Sequence, residues 1–287
     1  MIESHNPLFE GADPFLMTYQ GKYYIYATNS PDGFRVYVSD DLVVWKDKGY
    51  CLKKGDVIGQ NRFWAPEVIA HKGKFYMVYA SEEHLAIATS ESPLGPFTQT
   101  DKKWLIADKA IDGHFFLDDG TLWLYYVRIQ GENMIYVAKL NDDCSILQEK
   151  DEKFLLRAEK NWELKEGHVT EGPFVLAHKG KYYLSYSAND TRSIFYAIGY
   201  AVSDRPDGPF IKYKGNPILQ MTERVNGVGH HSFARSIDGK DLLCAYHCHY
   251  SKMQNYPRQV CVDRAEFVTD AEGDDILVIH GPTVRNR

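Results

Sequence analysis

Asp13, Asp112 and Glu171 each stand eight or nine residues ahead of a glycine turn, and that shared spacing gives them chemical interest. The turn glycines are Gly21, Gly73, Gly120, Gly180 and Gly239. Eight residues before them stand Asp13, Ala65, Asp112, Gly172 and His231; nine before stand Ala12, Trp64, Ile111, Glu171 and His230. A fixed offset from a recurring turn marks one place in five copies of a unit. Copies arranged around a ring aim those places at a common centre. Three carboxylates and an imidazole gathered there suit hydrolysis, with one carboxyl protonated to donate and another ionised to activate water. Any one of the 39 acidic residues taken alone is by default a solvated surface charge, so the register is what singles out these three.

The elements that must position them are strands. The units begin near residues 13, 65, 112, 171 and 230, a period that suits four-stranded propeller blades. Each has a first strand (Pro14–Thr18, Glu67–Ala70, His114–Leu117, Pro173–Ala177, Ser232–Arg235) running into the glycine turn. An aromatic second strand follows, such as Tyr23-Tyr24-Ile25-Tyr26, and then an alternating third (Phe34–Ser39, Leu85–Thr89, Ile135–Leu140, Phe195–Val202, Gln259–Ala265). Outer segments are expected at Asp40–Trp45, Pro93–Phe97 and Pro206–Phe210. The charged stretch Lys150–Lys160 predicts a connector rather than a helix. Asp274–Ile279 is expected to add an outer strand to the last blade, and Asn6–Phe9 to help close the ring. No linker divides the chain, so residues 1–287 are expected to form one all-β, five-bladed propeller domain.

Composition narrows the partners. A net charge of -6 and a pI near 6.0 make no electrostatic case for nucleic acid or an anionic membrane. No apolar run approaches the roughly 18 residues of a membrane span. The start Met1-Ile2-Glu3-Ser4-His5-Asn6 lacks a signal-like pattern, which predicts a cytoplasmic protein, or a periplasmic or secreted one if the sequence is trimmed. Cys51, Cys144, Cys244, Cys248 and Cys261 follow no metal or redox spacing and are expected as free buried thiols. A monomer is expected.

Five segments together resemble glycoside hydrolase family 43: Asn6–Phe15 around Asp13, Phe63-Trp64-Ala65-Pro66-Glu67-Val68, Ala110–Phe116 around Asp112, Val169–Pro173 around Glu171, and Gly227–Ser232 around His230. The resemblance covers nearly the whole chain and implies a five-bladed propeller with an axial active site. It implies Asp13 as general base, Glu171 as general acid, and Asp112 as the carboxylate that orients the acid and raises its pKa. It implies Trp64 as an aromatic wall for the sugar and Arg258 as a ligand of substrate hydroxyls, while Phe63, near a strand end, is a further substrate-binding candidate. His230 matches the family's axial histidine, either a calcium ligand in the channel or a hydrogen-bonded histidine without metal. No cofactor is otherwise required. Where the family more often has a glycine after this histidine, the chain has His231, which leaves open which of the two faces the axis. Arg128 and His247 stand near strand ends as further candidates, and His114 and His249 are expected to be structural.

The activity expected from this resemblance is inverting hydrolysis of plant cell-wall pentose glycans in an oligo- or polysaccharide substrate, α-L-arabinofuranosidase first. β-Xylosidase and endo-arabinanase or galactanase are the alternatives within the family. A glycan-binding propeller without catalysis would not need acids at all three positions. A related fructan hydrolase would place its carboxylates in other motifs, and a mannoside phosphorylase would need a cationic phosphate pocket.

Overall fold

The computed structural model describes residues 5–284, and among these five antiparallel sheets form the five blades of a β-propeller. Blade one runs Ala12–Tyr19, Lys22–Thr28, Gly33–Ser39 and Lys46–Lys53; blade two, Trp64–His71, Lys74–Ser81 and His84–Ser90. Blade three comprises Ala110–Asp118, Thr121–Ile129, Asn133–Lys139 and Lys153–Leu156, and blade four Thr170–His178, Lys181–Ala188, Ala197–Ser203 and Ile211–Lys212. Blade five comprises Gly229–Arg235, Leu242–Cys248, Gln259–Thr269 and Asp275–Ile279, with Phe9–Glu10 pairing along Gln259 and Val260. The first strand of each blade is the inner one, and neighbouring inner strands meet in order around the ring back to blade one.

Four of the hairpins between inner and middle strands are two-residue turns with both residues at positive φ: Gln20-Gly21, Lys72-Gly73, Asp119-Gly120 and Lys179-Gly180. That geometry matches strand twist and asks for glycine at its second position. The fifth hairpin is wider, spanning the residues between Arg235 and Leu242. Its extra length moves Gly239 one place further from the site, so His230 rather than His231 is the counterpart of Asp13 and Asp112.

The outer elements depart from expectation in three places, one of them blade four, where the outer strand is Ile211–Lys212 rather than Pro206–Phe210. Lys46–Lys53, not Asp40–Trp45, is the fourth strand of blade one. Blade two has no fourth strand among the described residues; Pro93–Phe97 makes only isolated bridges at its end, Phe97 to Leu52 and Thr98 to Thr89. Lys150–Lys160 holds one short 3-10 turn and the strand Lys153–Leu156. Asp275–Ile279 pairs with Ala265–Thr269 as the expected outer strand of blade five, and the Asn6–Phe9 segment ties the chain's start to that blade, Asn6 Nδ2 donating to the Val262 carbonyl at 3.1 Å.

The abundance of tyrosine has a packing cause. Tyr79, Tyr126, Tyr186 and Tyr246 occupy the same place on four middle strands, and all are fully buried. Each ring fills the layer between blades while its hydroxyl finds an acceptor: the Ile58 carbonyl, Glu152, Glu163 or Asp263.

Every inner strand breaks its pairing at one point. The register skips at Asp13-Pro14, Ala65-Pro66, Asp112-Gly113, Gly172-Pro173 and His230-His231. The first residue of each bulge lies at positive φ, from 45° at His230 to 56° at Gly172. A bulge frees a backbone N–H and turns its side chain out of the strand's alternation. In three blades the N–H is taken by a side chain from the preceding blade: Ala65 by Thr28 Oγ1 at 2.9 Å, His230 by Ser187 Oγ at 2.8 Å, and Asp13 by His247 Nδ1 at 3.2 Å. Ala80 and Val127 offer no acceptor at the same place, and Gly172 donates instead to Asp112 Oδ2 at 3.0 Å. The second bulge residue is proline in three blades, with no N–H to satisfy.

Blades five and one are locked by Ser232, whose Oγ donates to the Pro14 carbonyl and accepts the Leu16 N–H, both at 2.9 Å. Ser232→Ala leaves a buried donor and acceptor unpaired and is expected to destabilise the ring by about 2 kcal/mol. The measurement is urea unfolding followed by tyrosine fluorescence, with an exposed serine-to-alanine change as control. Equal midpoints for the two variants would rule out a closing role for Ser232.

Candidate active site

The bulges turn Asp13, Asp112 and His230 toward the axis, while Glu171 comes from the position just before the fourth bulge. Trp64 holds the place of Glu171 in blade two. Together they surround one end of the channel. His230 Nδ1 lies 3.5 Å from Asp13 Oδ1 and 3.7 Å from Asp112 Oδ2. Asp112, Glu171 and His230 bring one ligand-capable atom each to within 4.8 Å of one another.

The carboxyls sit in contrasting electrostatic surroundings. Burial pushes Asp13 upward, but the Arg258 guanidinium, 2.9 Å from its Oδ1, with His230 and His247, outweighs burial and holds it well below the usual carboxylate range. Among the described residues no cation is within ion-pair distance of Glu171. Burial, added to by the charge of Asp13, pushes it up to about 7, even though the Tyr196 hydroxyl donates to Oε1 at 2.8 Å and Asn133 Nδ2 to Oε2 at 3.2 Å. Asp112 is also raised, by burial first and then by Glu171 and Asp13, against the stabilising N–H of Gly172. The arrangement therefore offers an ionised carboxylate at Asp13 and a proton on Glu171 near neutrality, the two states that a glycosidase acid–base pair requires. Burial is the largest cause at Glu171, the charge of Asp13 adds to it, and Asp112 and Glu171 repel one another.

Arg258 is held from behind by Thr191 Oγ1 at 3.1 Å. His247 is fully buried; its Nδ1 accepts the Asp13 N–H, and burial pushes its pKa down to about 3, so the ring stays neutral. His231 points away from the axis to Ser185 Oγ at 2.7 Å, which settles the choice between the two adjacent histidines in favour of His230. His114 bonds Glu67 at 2.9 Å and accepts the Val175 N–H at 3.0 Å, joining blades two, three and four. His249 is tied to the Thr191 carbonyl.

Trp64 lines a cavity of about 470 Å³ with Arg62, Tyr256, Arg258 and Ala12, the residue that precedes Asp13. Phe63 also borders this cavity, but it is only 1% exposed, and its ring packs edge-on to Phe34 and beside Tyr79, behind Trp64. Arg128 lies outside the site, bound to Glu149 and Glu152. A larger hollow of about 860 Å³ runs along His5–Glu10 and Arg224–Asn226 and contains none of the three carboxylates. Tyr196, Asn133 and Thr191 are site residues that sequence spacing does not reveal. All three lie outside the inner strands, where no repeated turn marks their place.

The donor set fits calcium poorly. One imidazole and two carboxyls, both raised toward their neutral forms, fall short of the six to eight oxygens that calcium takes. The channel space bounded by the five bulges measures about 20 Å³, room for one water.

Residues 4–272 match glycosyl hydrolases family 43. A beta-D-galactofuranosidase of Aspergillus niger is 29% identical, over 96% of this chain and 84% of its own length. A xylosidase/arabinosidase of Bacteroides ovatus is 26% identical, over 94% and 95%. A solved structure described as an endo-1,4-beta-xylanase from Bacteroides thetaiotaomicron superposes with a TM-score of 0.91 at 38% identity, covering 98% of this chain and 97% of that one. The bulge-borne acids, the propeller that carries them and these likenesses agree, and the chain belongs to glycosyl hydrolases family 43, as an enzyme that hydrolyses O-glycosyl bonds.

Proposed function

We propose that this enzyme is an inverting α-L-arabinofuranosidase acting on plant cell-wall pentose glycans. The observation that carries the chemistry is the contrast in contacts: Asp13 lies 2.9 Å from the Arg258 guanidinium, whereas Glu171 accepts only the neutral donors Tyr196 and Asn133, which favours an ionised Asp13 and a protonated Glu171. Glu171 gives its proton to the leaving oxygen as the glycosidic C–O bond breaks. Water attacks the anomeric carbon from the opposite face, forms the new C–O bond and passes a proton to Asp13. Asp112 keeps the backbone of Gly172 in place next to the acid. The sugar class rests on the names of the relatives, a galactofuranosidase and a xylosidase/arabinosidase. β-Xylosidase is the second reading, favoured by the xylanase description of the structure at 38% identity. Aryl arabinofuranoside, xyloside and galactofuranoside, tested beside arabinan and arabinoxylan, separate the two; xyloside cleavage alone would discard the first.

Asp13→Ala and Glu171→Ala are each expected to lower kcat by about 10² to 10⁴. The Glu171 variant should largely keep its activity on aryl substrates with good leaving groups, because these need little protonation. Proton NMR of the first product should show the inverted anomer. A retained configuration would replace the mechanism.

The pH dependence follows from the same environments. Activity requires Asp13 ionised, so it falls as pH drops through the depressed Asp13 pKa. It also requires Glu171 protonated, so it falls as pH rises through about 7. Arg258→Met removes the cation that lowers Asp13, and its acidic limb should move to higher pH in a kcat/KM profile. An acidic limb left in place would show that Arg258 does not set the state of the base.

A further inference from the structure

We propose that Tyr196 is a positioning residue for the general acid: its hydroxyl, clamped over His247, confines the Glu171 proton to Oε2. The inference rests on the reading of Glu171 as the acid. Tyr196 is completely buried, and its hydroxyl donates to Glu171 Oε1 at 2.8 Å. Burial and the neighbouring carboxyls raise this phenol well above its ordinary value, so it remains a donor throughout the working pH range. A carbonyl-type oxygen accepts better than an acid hydroxyl. Oε1, with the shorter and stronger contact, is therefore the carbonyl, and the transferable proton resides on Oε2, where Asn133 makes the longer contact of 3.2 Å.

The ring's place is enforced on both sides. Tyr196 stacks on His247, with centroids 5.5 Å apart and planes 13° from parallel. On another side a Cβ at position 229 would fall 2.2 Å from Tyr196 Cε1, so Gly229 is the residue that makes room. His247 in turn accepts the Asp13 N–H, so a single stack joins the base's backbone to the acid's hydrogen bond. The loop carrying Tyr196 is tied by Asn189, whose Nδ2 donates to the Phe195 carbonyl at 3.0 Å. The other titratable or charged groups facing this cluster are Asp13, Asp112, His230 and Arg258.

Tyr196→Phe keeps the ring and removes only the donor. In the purified full chain, its kcat/KM profile should show the alkaline limb moved up by about one pH unit, because the ionised form of Glu171 loses a hydrogen bond. With aryl glycosides that the wild type cleaves, kcat should fall about tenfold for poor leaving groups and change little for good ones. Gly229→Ala keeps the hydroxyl but drives a methyl group into the ring, and should give the same shift; circular dichroism checks that both variants fold. An unmoved alkaline limb with wild-type leaving-group dependence in both variants overturns the proposal. Full activity of Glu171→Ala on substrates with poor leaving groups would instead overturn the acid assignment itself, so the two failures are distinguishable.

Discussion

The hydrogen bond from a bulged backbone N–H to a side chain of the preceding blade is the constraint on which the rest of the structure depends. A bulge by itself leaves a buried donor unpaired, at about 1–3 kcal/mol. Thr28, Ser187 and His247 remove that penalty from the neighbouring blade and thereby fix the rotation of one sheet against the next. Asp13 and His230 face the axis because the chain is held at positive φ at those points. The same contacts that close the ring therefore aim the chemistry.

One of these three acceptors has been recruited beyond its structural duty. Thr28 and Ser187 are hydroxyls, small and uncharged. In blade five the equivalent place holds His247, whose second nitrogen faces Thr191 and the guanidinium of Arg258 at 3.4 Å. Substituting a larger ring at one of five similar positions breaks the ring's symmetry, and it does so beside Asp13. The base thus gains its environment from the blade farthest from it in sequence, while Glu171 is surrounded by blades three and four and the loop that carries Tyr196.

Much of this was legible in the sequence, and the reason is geometric. Two-residue hairpins hold the distance from turn to bulge constant, so counting back from Gly21, Gly73, Gly120 and Gly180 lands on the bulge each time. The count slips by one in blade five because its hairpin is longer, and only the structure separates His230 from His231. Phe63 could not be told from Trp64 by type or spacing. Adjacent residues entering a strand face opposite ways, and burial among Phe34 and Tyr79 decides the matter. Tyr196 was illegible among 20 tyrosines, since its role comes from a loop folded back over blade five rather than from any repeat.

The pairing of Asp13 with Arg258 spans 245 positions, and the lock of Ser232 on Pro14 spans 218. On the ribosome the base is therefore made 245 residues ahead of its counter-charge. Until Arg258 emerges, an ionised Asp13 has no partner with which to enter a dry interior, so the nascent first blade retains water around that carboxylate. The base's counter-charge and the lock that closes the ring both come with the fifth blade, so the electrostatics of the hydrolytic centre and the closure of the ring depend on the same sheet.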